Sequence, residues 1–181
     1  MSIPKKLLNY LQQKKAKYEV REHKTVFTAW DLAQTLHKKP KEIMKTVVVK
    51  LNGKEPVLVL LTADQLLDKK KFLNTVNAWI TAPRAPEAAV ALKERLHGKA
   101  RSLVFAEERW LREKVLGKPG ATPPFGEVVK MPVFADRQAM APKMLLLNSG
   151  SYENSLSISN VEFKKLVQVV EGRFGMMRKD K

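Results

Sequence analysis

The sequence has no cysteine, and it has few acidic residues for its number of basic ones. Without cysteine, disulfide bonds, thiolate nucleophiles and cysteine-ligated zinc sites are all excluded. Lys and Arg number 34 against 18 Asp and Glu in 181 residues, which gives a formal net charge of +16. Such an excess favours a polyanionic partner, with nucleic acid as the first candidate; the alternative is that the surplus lysines only keep the surface solvated.

Long hydrophobic runs are also missing. No segment approaches the roughly 20 apolar residues that a membrane-spanning helix needs, and the opening "MSIPKKLLNYLQQKK" lacks the apolar stretch of a signal peptide. The basic residues are scattered along the chain instead of being gathered on one amphipathic helix, which argues against a membrane surface as the partner. We therefore expect a cytoplasmic protein with no membrane partner.

The motifs of the commoner cofactor and catalytic sites do not occur. Neither GxGxxG nor GxxxxGK[ST] is present, so nothing supports a dinucleotide site or a P-loop, and there is no GxSxG elbow of a serine hydrolase. The histidines, His23, His37 and His97, are far apart in sequence, which argues against a metal site. We expect neither a metal nor another cofactor.

Two apolar runs around Asn52 and Gly53 are the strongest structural signal that is present. In "TVVVKLNGKEPVLVLLT" the Asn-Gly pair predicts a tight β-hairpin, and the uninterrupted valines and leucines predict strands covered on both faces. Lys45 stands immediately before this apolar strand. A lone lysine in this position usually reaches solvent through its flexible stem; alternatively, a rigid strand fixes its backbone so that the ammonium group can be aimed.

Apolar spacing and capping residues place further elements around the hairpin. Tyr18 and Val20 are expected to face the core from one strand, and Trp30 is expected in a buried helical stripe. The basic tail, 171–181, is expected to fray. Helices are predicted at about 3–15, 28–36, 67–76, 85–98, 107–117 and 159–170, and strands at 17–22, 101–106, 127–130, 133–135 and on both sides of the turn at 148–151. One mixed sheet with peripheral helices is the simplest architecture for this order of elements.

Five stretches of the chain, in order, resemble the successive blocks of the YbaK family. They are "EHKTVFTAWDLAQTL", "EIMKTVVVKLNGKEPVLVLL", "LDKKKFL", "GATPPFG" followed by "MPVFAD", and "LLNSGSYENSLSIS". The family comprises the editing domain of bacterial prolyl-tRNA synthetases and free-standing relatives that hydrolyse mischarged aminoacyl-tRNA in trans. The resemblance runs from about Lys6 to Val170. It implies an α/β (α+β) fold, a single compact domain over 1–181 with a mixed, partly barrel-like sheet. The chain departs from the family at about 77–99, where we expect a helical insertion that either contacts tRNA or pads the surface.

The resemblance also implies site residues. Lys45 matches the lysine that heads the family's central strand, and Gly120 and Gly150 match its glycine loops; these three are the expected catalytic positions. Ala121 stands where the family has a second glycine. The residues implied in substrate binding are Tyr18, Phe27, Thr46, Ser149 and Ser151, with Ser149 in place of the family's usual alanine. Phosphate contacts to the acceptor stem are expected from Lys38, Lys39, Lys41, Lys69, Lys70, Lys71, Arg109 and Arg112.

The implied reaction is ester hydrolysis, which needs a positioned water and donors for the negative charge of the tetrahedral intermediate. Backbone N–H groups of glycine loops supply such donors. Lys45 either holds the 3′-terminal phosphate or ribose, or stabilises the transition state directly. No strong general base is evident, which points to assistance by the substrate's own groups, such as a ribose hydroxyl. The expected partner is mischarged tRNA, with a synthetase as a second candidate partner; the alternative to an enzyme is a non-catalytic tRNA-binding or synthetase-associated module.

Overall fold

The predicted hairpin lies at the centre of the computed structural model, which describes residues 2–179. Met44–Leu51 and Glu55–Thr62 pair in antiparallel register along their whole length. Asn52 and Gly53 both have positive φ at the turn, a conformation that Asn-Gly adopts at low cost. The hairpin prediction is confirmed.

Further elements surround the hairpin in the described part of the chain. The helices are α1 Lys5–Gln13, α2 Ala29–Thr35, α3 Lys69–Ile80, α4 Glu87–Arg95, α5 Glu108–Lys114, α6 Gly126–Val129 and α7 Asn160–Leu166, with a 3-10 turn at Pro40–Glu42. The strands are β1 Tyr18–Glu22, β2 Met44–Leu51, β3 Glu55–Thr62, β4 Gln65–Leu67, β5 Leu103–Phe105, β6 Val133–Asp136, β7 Met144–Asn148, β8 Asn154–Ser159, β9 Val169–Gly172 and β10 Gly175–Met177. No helix within residues 2–179 is long and apolar enough to cross a membrane.

The strands form three sheets. The five-stranded sheet has the order β5-β2-β3-β6-β9, antiparallel from β5 to β3 and parallel from β3 to β9. A three-stranded antiparallel sheet has the order β1-β8-β7, and β10 pairs with β4. A bridge between Ile43 and Leu146 joins β7 to the start of β2. The predicted α/β class is confirmed; the sheets are mixed, and in the described residues they do not close into a barrel.

Apolar side chains are buried on both faces of the five-stranded sheet, as its valine run predicts. One face packs against α1, α6 and α7, and the other packs against α3 and α4. Along β2, Met44 and Val48 belong to the first cluster and Val49 belongs to the second. Because side chains alternate along a strand, Lys45 projects on the α3 face and Thr46 on the α1 face.

The inserted helix α4 is a structural layer of the domain. Its Ala89 and Leu92 are fully buried and share a cluster with Phe72 of α3. The segment 77–99 therefore covers one face of the sheet and does more than pad the surface.

Two side chains that were predicted to be buried are exposed. Val20 is 42% exposed because β1 is an edge strand that pairs only with β8. The short helix α2 buries Leu32 and Ala33, so that Trp30 is 37% exposed. In such short elements, apolar spacing alone does not decide which side chains face the core.

The predictions for two segments after residue 125 are wrong. Gly126–Val129 form a helical turn, where a strand was predicted at 127–130, and the turn ends with Lys130 in the left-handed conformation. The last helix ends at Leu166, short of the predicted Val170, because Val169–Gly172 pair in parallel with β6. Short apolar runs such as these do not distinguish a strand from a helix.

The tail that was predicted to fray at 171–181 is folded as far as Met177. Gly175–Met177 pair with β4, and Phe174 is fully buried against α3. These contacts join parts of the chain that are far apart in sequence, so local composition gives no sign of them. Residues 180 and 181 lie outside the described part of the chain.

Candidate functional site

A cavity of about 320 Å³ lies along an open edge of β2. On one side β2 pairs with β3 over its whole length, but on the other side β5 pairs only with Val49–Leu51. Lys45 and Thr46, which precede this covered part, line the cavity together with Gly120 and Phe105. The structure thus brings together the lysine strand and the glycine loop, which the sequence places about seventy-five positions apart.

The ammonium group of Lys45 is held in one place. Its Nζ donates a hydrogen bond to the carbonyl of Gln65, and the side chain is half-buried. Burial lowers the pKa of Lys45, the positive charge of Arg178 lowers it further, and the carboxylate of Asp64 opposes both. A cation that is partly removed from water attracts an anion more strongly than a cation at the open surface. Lys45 is therefore suited to bind an anionic group in the cavity.

A buried carboxylate, Asp136, holds Gln65 in position. Gln65 Nε2 donates to Asp136 Oδ1 at 3.0 Å, and Gln65 Oε1 accepts the Thr62 N–H at 3.0 Å. Asp136 Oδ2 accepts the N–H groups of Phe174 and Gly175 at 2.9 and 2.7 Å. Burial by itself raises the pKa of Asp136, but the hydrogen bonds to its charged form outweigh burial, so the pKa lies below its usual value. Hydrogen bonds thus connect strand β10, through Asp136, to Gln65, whose carbonyl accepts from Lys45.

Gly150 positions the Gly120 loop. A Cβ on Gly117 would lie 2.5 Å from the Gly150 Cα, so the two backbones are in direct contact. The Gly150 N–H donates to the Ala121 carbonyl at 2.7 Å, and the Gly150 carbonyl accepts the Lys118 N–H at 3.0 Å. The Gly150 N–H already has an acceptor inside the protein. Gly150 is thus a packing residue, which corrects the expectation that it donates to an oxyanion.

Gly120 is exposed at the tip of the same loop, with φ of +80°. No residue from 2 to 179 accepts a hydrogen bond from its N–H. Gly120 borders both the larger cavity and a smaller one of about 20 Å³ beside it. A backbone donor in this place is suited to stabilise negative charge that develops on a bound group.

The smaller cavity has both polar and apolar residues in its walls. Phe27, Asn148 and Ser151 border it beside Gly120, and its volume suffices for roughly one water molecule. The Asn148 Nδ2 is buried, and no group in residues 2–179 accepts a hydrogen bond from it. The sequence reasoning missed Asn148, although a polar residue directly after the buried run "LLL" was a usable signal.

The other predicted pocket residues are divided between the cavity walls and the core. Thr46 is buried in the wall of the larger cavity, and Ser151 is buried in the wall of the smaller one. Ser149 is fully buried, and its hydroxyl donates to the Asn154 carbonyl at 2.6 Å without reaching either cavity. Tyr18 packs against the core cluster of α1 and lines neither cavity. The structure therefore removes Ser149 and Tyr18 from the predicted pocket.

The basic residues expected to bind tRNA are all exposed, but they do not share one surface. Lys69 begins α3, and its Nζ lies 5.3 Å from the centre of the Phe105 ring in the cavity wall. Arg109 and Arg112 each form an ion pair with a glutamate one turn away on α5, which offsets part of their charge. Lys38 borders a separate cavity. The other four residues predicted for this role are Lys39, Lys41, Lys70 and Lys71.

Comparison with known proteins finds a family model that matches part of the chain. Residues 23–85, which include Phe27, Lys45 and Thr46, match the family model of the aminoacyl-tRNA editing domain, and this confirms the resemblance drawn from the sequence over that segment. No curated protein sequence matches the chain significantly.

Solved structures share the fold over nearly the whole chain. The crystal structure of hypothetical protein APE2540 superposes with a TM-score of 0.70 and 18% identity, covering 94% of this chain and 99% of that one. A "putative trans-editing enzyme for prolyl tRNA synthetase" superposes with a TM-score of 0.68 and 17% identity, covering 95% and 96%. At these identities the similarity shows a common fold.

Proposed function

Taking the aminoacyl-tRNA editing domain family as the premise, we propose that the protein is a deacylase that removes a wrongly attached amino acid from tRNA in trans. The observation that carries the proposal is the shared cavity of Lys45 and Gly120. Lys45 supplies a fixed cation, and Gly120 supplies a backbone donor that has no acceptor within residues 2–179. Both groups suit the 3′ end of a charged tRNA, which brings a phosphate and an ester carbonyl.

Lys45 binds the anionic side of the substrate. Its ammonium group is fixed by Gln65 at the mouth of the apolar strand β2, so little side-chain freedom is lost when a phosphate binds. The same position next to the ester would let it stabilise the transition state. In both roles the cation must stay charged. Burial and the charge of Arg178 lower the pKa of Lys45, and the nearby Asp64 carboxylate opposes that shift.

The Gly120 N–H faces the ester. Water attacks the carbonyl carbon, the oxygen becomes an oxyanion that accepts from this N–H, and the bond to the ribose oxygen then breaks. One proton of the attacking water passes to the departing ribose oxygen, and the amino acid leaves as a carboxylic acid that releases the second proton to solvent and becomes a carboxylate. The ribose hydroxyl next to the ester is the group best placed to relay the proton. No carboxylate or histidine of residues 2–179 lines the larger cavity, and both ring nitrogens of His23, in the wall of the smaller one, already have partners in the protein.

The smaller cavity is suited to position the water. It borders Gly120, and its volume holds about one water molecule. Ser151 and Asn148 line it, and the Asn148 Nδ2 has no acceptor within residues 2–179. Phe27 is one of its lining residues, with its ring edge-on to Tyr152 at a centroid distance of 4.9 Å. Discrimination between amino acids would then come from steric exclusion in the walls, since a difference of one methylene is worth only about 10- to 200-fold.

The proposal is tested by incubating the purified protein with tRNAs that carry alanine, serine, threonine or cysteine wrongly attached. At least one ester is expected to hydrolyse about 100-fold faster than in buffer, the scale of one positioned oxyanion donor. Labelled amino acid released per unit time is the measurement, with the correctly charged counterpart of each tRNA as the control.

If no ester is hydrolysed faster than in buffer, the deacylase proposal is wrong. Binding of uncharged tRNA with no hydrolysis would instead support the non-catalytic tRNA-binding module. Stable co-purification with a synthetase and no hydrolysis would support a role as a synthetase partner.

A further inference from the structure

Exposed aromatic side chains are concentrated around the Lys45 cavity. Of the aromatic residues in the described part of the chain, Phe27, Trp30 and Phe105 are the exposed ones. Phe105 lines the larger cavity, Phe27 lines the smaller one, and Trp30 directly follows Ala29 in the wall of the larger cavity. Elsewhere on the described surface the exposed large apolar residues are aliphatic. This distribution points to a ligand with flat rings.

Two of these rings are paired with cations. The Arg178 guanidinium carbon lies 5.8 Å from the centre of the Trp30 ring, and Lys69 Nζ lies 5.3 Å from the centre of the Phe105 ring. The backbone N–H of Arg178, directly after β10, donates to the Asp64 carbonyl at 2.8 Å. This hydrogen bond holds the Arg178 backbone where its side chain reaches Trp30. A flat ring beside a positive charge is the combination that binds a base and its phosphate in single-stranded nucleic acid.

The two pairs lie near opposite ends of the β2 stretch from Lys45 to Val49, which borders the cavity. Phe105 stands opposite Val49 on the neighbouring strand, and Val49 lies on the same face of β2 as Lys45. The four steps along the strand from Lys45 to Val49 span about 13 Å. Arg178 stands at the Lys45 end, where its charge acts on the lysine. The distance equals roughly four stacked nucleotides at about 3.4 Å each.

We propose that Trp30 with Arg178, and Phe105 with Lys69, are two stacking sites for the unpaired 3′ nucleotides of tRNA, one on each side of the Lys45 cavity. The inference rests on the proposed function for the identity of the RNA. Stacking supplies sequence-tolerant affinity, and the adjacent cations neutralise the phosphates between the bases. The net charge of +16 agrees with a polyanionic ligand.

The test measures binding of two uncharged acceptor minihelices, one with its unpaired 3′ end and one trimmed to a blunt end, by fluorescence anisotropy at one salt concentration. Trp30→Ala and Phe105→Ala are each expected to weaken binding of the 3′-extended minihelix by about 10-fold and to leave the blunt one unchanged. Trp30→Phe is expected to restore binding, since it keeps a flat ring. Val161→Ala, at an exposed apolar residue on α7, is the matched control for the two ring variants. Arg173→Ala, at another exposed arginine, is the matched control for Arg178→Ala.

Equal affinity of the wild-type protein for both minihelices would overturn the inference, as would variants with native melting curves and unchanged binding. Because the RNA is uncharged, the result does not depend on hydrolysis. A protein that binds the 3′ end through these rings but releases no amino acid would keep this inference and remove the deacylase proposal. Rapid hydrolysis, together with ring variants that bind the minihelix as the wild type does, would keep the deacylase proposal and remove this inference.

Discussion

Replacing Lys45 by alanine is expected to reduce deacylation by about 100- to 1000-fold, the scale seen when one group that stabilises the transition state is removed. The fold should survive, because the side chain is half-buried and makes a hydrogen bond to the Gln65 carbonyl, whose loss costs about 1 kcal/mol. Lys45→Met keeps the apolar stem and should lose activity to the same degree. The measurements are single-turnover release of the amino acid and the urea midpoint of each variant.

Lys50 provides a matched control on the same strand. It is also half-buried, but it lies on the other face of β2, with its ammonium 4.5 Å from the centre of the Trp110 ring. Lys50→Ala should change the rate less than threefold, since this lysine does not line the cavity. Wild-type turnover by Lys45→Ala would contradict the assignment of Lys45 to the reaction.

Asp136→Asn is expected to destabilise the protein by about 3 kcal/mol or more. The carboxylate now accepts hydrogen bonds with both oxygens, and an asparagine would replace one of these oxygens by an NH2 group that faces other donors. Asp136 is 3% exposed and accepts from Gln65, Gln138, Phe174 and Gly175. Urea unfolding monitored by tryptophan fluorescence gives the free energy of unfolding. Asp31→Asn, at an exposed position of α2, should shift it by less than about 0.5 kcal/mol.

The same carboxylate predicts how stability depends on pH. The folded pKa of Asp136 is below its unfolded value, so its contribution is fully present above the unfolded pKa, near 3.9, and is lost as pH falls through the folded pKa. Wild-type protein should therefore lose stability below about pH 4 more steeply than Asp136→Asn. Parallel pH profiles for the two proteins would show that Asp136 does not carry this acid sensitivity.

The sequence could predict those parts of the fold that local residues determine. The Asn52-Gly53 turn defines the hairpin register, and Thr28, Asp68 and Ser159 accept the N–H three residues on, as N-caps do. Lys45 was noticed as a charge at the mouth of an apolar strand, but its expected role came from the resemblance to the YbaK family. These features need only a few neighbouring residues.

The rest of the site depends on contacts between distant segments. The Gly150 N–H has the Ala121 carbonyl as its partner, and Asp136 binds residues nearly forty positions further on, so neither role is visible in the local sequence. Arg178 lies in a segment that reads as a frayed basic tail until β10 pairs with β4. Asn148 became a candidate only when its buried amide was seen without an acceptor in the described chain.

The most direct test of the central claim uses an adenosine whose 3′ oxygen is replaced by nitrogen, so that the amino acid is held by an amide that water does not cleave. Titrated into labelled protein, this analogue should shift the backbone amide resonances of Gly120 and Thr46, and the shifts should disappear in Lys45→Ala. Shifts confined to the separate cavity beside Lys130, or unchanged shifts in the variant, would contradict binding of the aminoacyl end between the lysine strand and the Gly120 loop.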